Sequence, residues 1–113
     1  MNYTGKAQFS LTAIAPPELE SEGDRLLNLH AAWMEETHYR EGEKALLQYT
    51  VAKRVDDDGN IIIVLTEVYE TMAGVEDHYK QAGDWETIED WRKFMDQCQV
   101  TYGGGASIVH SLW

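Results

Sequence analysis

The chain has 113 residues, 43% of them apolar, with four tryptophans and six tyrosines; that is enough to bury one core and excludes a disordered chain. A formal net charge of −11 excludes nucleic acid and anionic membrane surfaces as expected partners, since both are bound by clustered Lys and Arg. No run approaches the roughly 18 apolar residues of a membrane span.

The first residues, MNYTGKAQFS, lack the charged-then-apolar order of a secretory signal. Cys98 is the sole cysteine, which rules out an internal disulfide and fits a reducing compartment. A cytoplasmic protein is the expectation.

Lys6 to Ala15 alternates, with Phe9, Leu11 and Ala13 on one face and Gln8, Ser10 and Thr12 on the other, the period of a strand. Pro16 and Pro17 stop it. A helix is predicted from about Glu18 to Thr37, because Leu19, Leu26, Leu27, His30, Trp33 and Met34 recur at three- and four-residue steps. Pro17 suits its first turn, and Glu18, Glu20 and Glu22 complement its positive end.

Polar residues around Gly42 read as a loop, and Ala45 to Val55 as a second strand. Asp56 to Asn60 (DDDGN) is a hairpin signal, so the third strand, Ile61 to about Glu70, runs antiparallel to the second. A short helix is predicted from Met72 to Gln81. Gly83-Asp84 interrupts it, and Asp84 is placed to cap a further helix reaching Gln99, with Ile88, Trp91, Met95 and Cys98 on one face. Gly103 to Gly105 reads as a flexible link, and Ala106 to Trp113 as a final strand.

The resulting order is that of a ferredoxin-like βαββαβ domain, an α+β fold in which helices cover one face of a four-stranded antiparallel sheet. Such a sheet leaves its other face wet, so its central strands should alternate. The third strand does not: Ile61, Ile63 and Leu65 point one way, Ile62 and Val64 the other. A second copy packed sheet against sheet would cover both, and twofold dimers are the common solution. A homodimer is therefore expected.

The segment TEVYETMAGVEDHY carries a resemblance. An acidic residue, an aromatic two positions on and a histidine nine further, here Glu67, Tyr69 and His78, is a pattern of the dimeric α+β barrel superfamily. The chain resembles its antibiotic-biosynthesis-monooxygenase-like branch in particular. The resemblance implies a dimeric barrel and a small-molecule site; members include cofactor-independent oxygenases of aromatic compounds, haem-degrading enzymes and isomerases. The haem-degrading pattern has an Asn on the first strand, a Trp on the helix after the third strand and a His ten residues beyond it. In this chain His78 and Ile88 stand at the latter two positions, and the first strand has no Asn. No haem and no other cofactor is expected.

Glu67, Tyr69 and His78 are the candidate catalytic residues, with His as a general base and Tyr as a donor to an oxyanion. The structural alternative has Glu67 capping a backbone group, Tyr69 in the core and His78 bonded within the helix layer. His30 and Trp33 are candidate ligand-binding residues on the first helix, with a satisfied core histidine as the alternative. Trp33, Trp85 and Trp91 read as core or interface anchors. Asp56, Asp58, Asn60 and Glu67 follow part of a calcium-loop spacing, but Ile61 stands where that loop needs Gly, and the hairpin reading is preferred. His30, His38, His78 and His110 share no local ligand spacing, so no metal site is expected. The expected function is binding of a small aromatic ligand with oxygenase-like chemistry; the alternative is a ligand-binding or assembly protein without chemistry.

Overall fold

Strand β1, Ala7–Ala15, alternates buried and half-buried residues along its whole length. The buried set, Ala7, Phe9, Leu11, Ala13 and Ala15, lies under the helices. The computed structural model describes residues Met1–Trp113. After β1 come a single 3-10 turn at Pro17–Leu19, helix α1 (Glu20–Thr37), strands β2 (Leu46–Val55) and β3 (Ile61–Tyr69), helices α2 (Met72–Gly83) and α3 (Ile88–Met95), and strand β4 (Gln99–Ser107). The four strands form one antiparallel sheet in the order β2-β3-β1-β4. This is a ferredoxin-like α+β arrangement. No helix is long and apolar enough to cross a membrane.

The β2–β3 hairpin sets the register. Gly59 adopts φ 84°, and its N–H donates to the Asp56 carbonyl at 3.0 Å. The Asp56 carboxylate accepts from the backbone N–H groups of Asp58 and Asn60, both at 2.9 Å. Asp56 therefore serves the turn itself. From Val55 opposite Ile61, counting back places Tyr49 opposite Glu67, while Phe9 of β1 flanks Glu67 on its other side.

The two faces of β3 now separate. Ile61, Ile63, Leu65, Glu67 and Tyr69 share the helix-covered face with the buried residues of β1. Leu65 is 1% exposed and contacts the main core. Ile62, Val64, Thr66 and Val68 occupy the opposite face, where Val64 is 38% exposed. Gln8, Ser10, Thr12 and Ile14 of β1 pair beside them. In a single chain this face has no covering layer of helices.

Three boundaries differ from the sequence expectation. The α-helix begins at Glu20 rather than Glu18, because Pro16 is extended and Pro17 opens the 3-10 turn. Asp84 closes α2 instead of capping the next helix, and α3 is confined to Ile88–Met95. The intervening turns, held by Trp85 N–H to Ala82 and Ile88 N–H to Trp85, bring Trp85 inward to 7% exposure.

The final strand is Gln99–Ser107, so Gly103 to Gly105 lie inside it rather than linking to it. The reason is close approach. A Cβ on Gly104 would stand 2.5 Å from the Tyr79 hydroxyl of α2, so any side chain there would push the end of that ring aside. Residues beyond β4 run beside the N-terminus instead, with Gly5 N–H donating to the Ile108 carbonyl and Ile108 N–H to the Lys6 carbonyl, both at 2.9 Å, and Tyr3 N–H donating to Ser111 Oγ at 3.0 Å.

Candidate functional site

Helix α1 buries Gly23, Leu26, His30 and Met34, a stripe at three- and four-residue steps. His30 is thus placed inward by the same periodicity that builds the core. On α2 the Thr71 hydroxyl caps the first turn by accepting from Ala73 N–H at 3.1 Å, and Gly74, Val75 and His78 form the buried stripe. β3 presents Glu67 and Tyr69 from below. Three elements therefore deliver polar side chains to one place between sheet and helices.

The contacts form two short chains. Tyr69 Oη donates to Glu67 Oε1 at 2.5 Å, and His78 Nδ1 lies 3.5 Å from the same oxygen. His78 Nδ1 also meets His38 Nε2 at 2.9 Å, and His38 Nδ1 meets the Thr37 hydroxyl at 3.0 Å. Separately, His30 Nδ1 meets the Tyr49 hydroxyl at 2.8 Å. Glu67 is completely buried, and its second oxygen, Oε2, has no hydrogen-bond partner. An unpartnered buried oxygen is rare enough to call for a cause.

Burial sets the proton affinities. Desolvation pushes the Glu67 carboxyl up to about 7 despite the Tyr69 hydrogen bond, which acts the other way. Desolvation, reinforced by His38, lowers His78 to about 4, with Asp77 opposing. Desolvation lowers His30 to about 3, with His78 and His38 adding to it. His38 moves down for the same reason. Tyr69 and Tyr49 are both pushed well above the usual phenol range, by burial first and by the nearby Glu67. Near neutral pH the imidazoles are neutral, and Glu67 is the group poised to titrate.

Beside His30 and His78 lies a cavity of about 220 Å³. Six aromatic side chains stand in its wall: Trp33, Trp85, Trp91, Phe9, Tyr79 and Tyr102. Trp33 stacks on Trp85 with centroids 5.0 Å apart, and His30 stacks on Trp91 at 4.6 Å. A larger cleft of about 310 Å³ opens between α1 and β2, lined by Met34, His38, Tyr39 and Tyr49 among others, but it does not reach His78 or Glu67. The smaller cavity, walled by flat rings with two imidazoles among them, is the better small-molecule site.

Of the residues singled out from the sequence, His78, His30 and Trp33 line this cavity, whereas Glu67 and Tyr69 lie behind His78 and do not. The expectation of no metal-ligand set rested on local spacing. His30, Glu67 and His78, from α1, β3 and α2, nevertheless each offer one ligand atom, all within 4.8 Å of one another. Sequence reasoning missed Tyr49 and His38. Tyr49 had a signal, since the hairpin register alone sets it opposite Glu67. His38 had none: it is the residue that ends α1, where helical periodicity stops.

No protein-family model, no curated protein and no solved structure matches the chain.

Proposed function

We propose that the chain binds a flat aromatic hydroxy compound in the cavity beside His78, and that the His78–Glu67 pair takes a proton from it. The observation that carries this reading is the junction of the two features: an imidazole on an aromatic-walled cavity, backed 3.5 Å away by a buried carboxyl whose proton affinity lies near neutrality. A proton acceptor works best when its pKa is close to the working pH. An apolar cavity of roughly 150 Å³ holds a benzene ring, so about 220 Å³ suits one ring with substituents.

Deprotonation makes a phenol electron-rich, the form in which an aromatic substrate can itself supply electrons to dioxygen. This favours the oxygenase-like chemistry implied by the resemblance to the antibiotic-biosynthesis-monooxygenase-like branch of the dimeric α+β barrels. The same reading includes a homodimer closed sheet against sheet, supported by Ile14, Ile62 and Val64 on the face without helices. The alternative, ligand binding without chemistry, draws on the sealing of Glu67 and Tyr69 away from the cavity.

The direct test is a panel of phenols, naphthols and hydroxyquinones titrated into EDTA-treated protein, followed by tryptophan fluorescence. Saturable quenching is expected, because Trp33, Trp85 and Trp91 line the site. It should disappear in Ala82→Trp, which fills the cavity. No saturable quenching across the panel, or equal quenching in Ala82→Trp, would refute the reading.

A further inference from the structure

The Glu67 Oε2 atom has no partner although its residue is completely buried. Leaving such a group unpaired is costly, more so if it is charged. Its neighbourhood holds no lysine or arginine bond to answer it. What it does hold is two further donors: a nitrogen of His30 and a nitrogen of His78, each within 4.8 Å of a Glu67 oxygen and of one another. We propose that His30, Glu67 and His78 are the protein ligands of a divalent first-row transition metal ion.

The donor set is two imidazoles and one carboxylate. That set serves catalytic zinc and non-haem iron sites, which keep positions open for other ligands. It is a poor set for magnesium or calcium, which take oxygen donors. Ligand atoms sit roughly 2.0–2.2 Å from zinc. Closing three atoms from within 4.8 Å onto one ion therefore asks for side-chain rotations rather than movement of the backbone.

His30 and Glu67 are also held from behind, as metal ligands commonly are. The Tyr49 hydroxyl engages His30 Nδ1 at 2.8 Å, which leaves Nε2 for an ion. His78 Nδ1, which His38 engages at 2.9 Å, is also the nitrogen 3.5 Å from Glu67 Oε1, so an ion shared with Glu67 would take Nδ1 in place of His38, or Nε2 once the ring turns. The Tyr69 hydroxyl donates to Oε1 of Glu67 and leaves Oε2. His30 and His78 also line the aromatic cavity, so an ion held between them would stand where an oxygen donor on a bound ring could reach it. The inference shares the cavity with the proposed function without depending on it. With an ion bound, His78 and Glu67 act as ligands, and the proton transfer described above belongs to the metal-free protein.

The test is a calorimetric titration of EDTA-treated protein with Zn²⁺ and, for the ligand field, an absorption titration with Co²⁺, without any organic ligand. One Zn²⁺ per chain is expected, with Mg²⁺ giving no signal. Tyr49→Phe, which keeps the ring and removes the hydroxyl behind His30, should weaken Zn²⁺ about tenfold. Glu67→Gln and His30→Gln should weaken it further, and His110→Gln, on the exposed tail, should not change it. Circular dichroism and thermal melts confirm that each variant is folded; the close isostere Glu67→Gln is the deciding variant should His30→Gln fail to fold. No stoichiometric binding to wild type, or unchanged affinity in Glu67→Gln, would overturn the proposal. Because aromatic-probe binding is measured in EDTA, either reading can fail while the other stands.

Discussion

The imidazoles of His38 and His78 meet nitrogen to nitrogen at 2.9 Å. One of the two nitrogens must be protonated and the other bare, and a second positive charge at that distance is repelled. Burial and this neighbour together hold His78 down to about 4. Replacing His38 by Gln removes the repulsion and keeps a hydrogen-bonding side chain. The His78 pKa is then expected to rise, yet to stay below an ordinary 6.5, because desolvation, the larger cause, remains. Nitrogen-15 shifts of the imidazole followed against pH report this directly; a fall, or no change, would show that His38 does not act on His78.

Glu67 makes the stability of the metal-free protein depend on pH with a definite sign. Its folded-state value of about 7 lies above the ordinary 4.5, so its contribution is complete below pH 4.5 and is lost as pH rises through 7. The difference corresponds to roughly 3 kcal/mol. Glu67→Gln cannot ionise. Its melting temperature relative to wild type is therefore expected to increase steadily between pH 5 and pH 8, measured in EDTA. His30 and His78 act oppositely: their lowered values favour the fold above pH 6.5 and withdraw that support as pH falls through about 4 and about 3. These histidines are common to both proteins and cancel in the comparison.

The two faces of β3 give a paired prediction. Leu65→Ala removes a core side chain that is 1% exposed and should cost about 2–5 kcal/mol in a urea melt. Val64→Asp, one residue away on the face without helices, should leave a folded chain but halve the mass seen by light scattering. A wild-type monomer at micromolar concentration would remove the dimer from the proposal.

Much of the fold was legible because it is written in periods. The alternation of Phe9, Leu11 and Ala13, the stripe through Leu26, His30 and Met34, and the Asp-Gly turn at Asp58-Gly59 each fix an element locally. The facing of β3 was not legible, since Ile61 to Leu65 are apolar on both sides and only the packing of α1 and α2 chooses between them. The end of the chain was misread because three glycines look like a linker, whereas Gly103 pairs with Ser10 of β1 and Gly104 lies against the Tyr79 hydroxyl. At the site, Glu67 and Tyr69 share a face by their two-residue spacing, but the contact of Glu67 with His78 depends on where α2 lies. The contact of His38 with His78 joins residues forty positions apart, and no local rule reaches that far.

Proton transfer to the His78–Glu67 pair is tested most directly by the ionisation of a bound phenol. With a phenol whose own pKa lies above about 8 as the probe, in EDTA and at a pH between about 7, where Glu67 is ionised enough to accept a proton, and the probe's pKa, the phenolate band shows how much of the bound probe has lost its proton. The expected result is a larger phenolate fraction bound to wild type than free in buffer, and its loss in Glu67→Gln. A bound probe as protonated as the free one, or the same phenolate fraction in both proteins, would contradict the proposal.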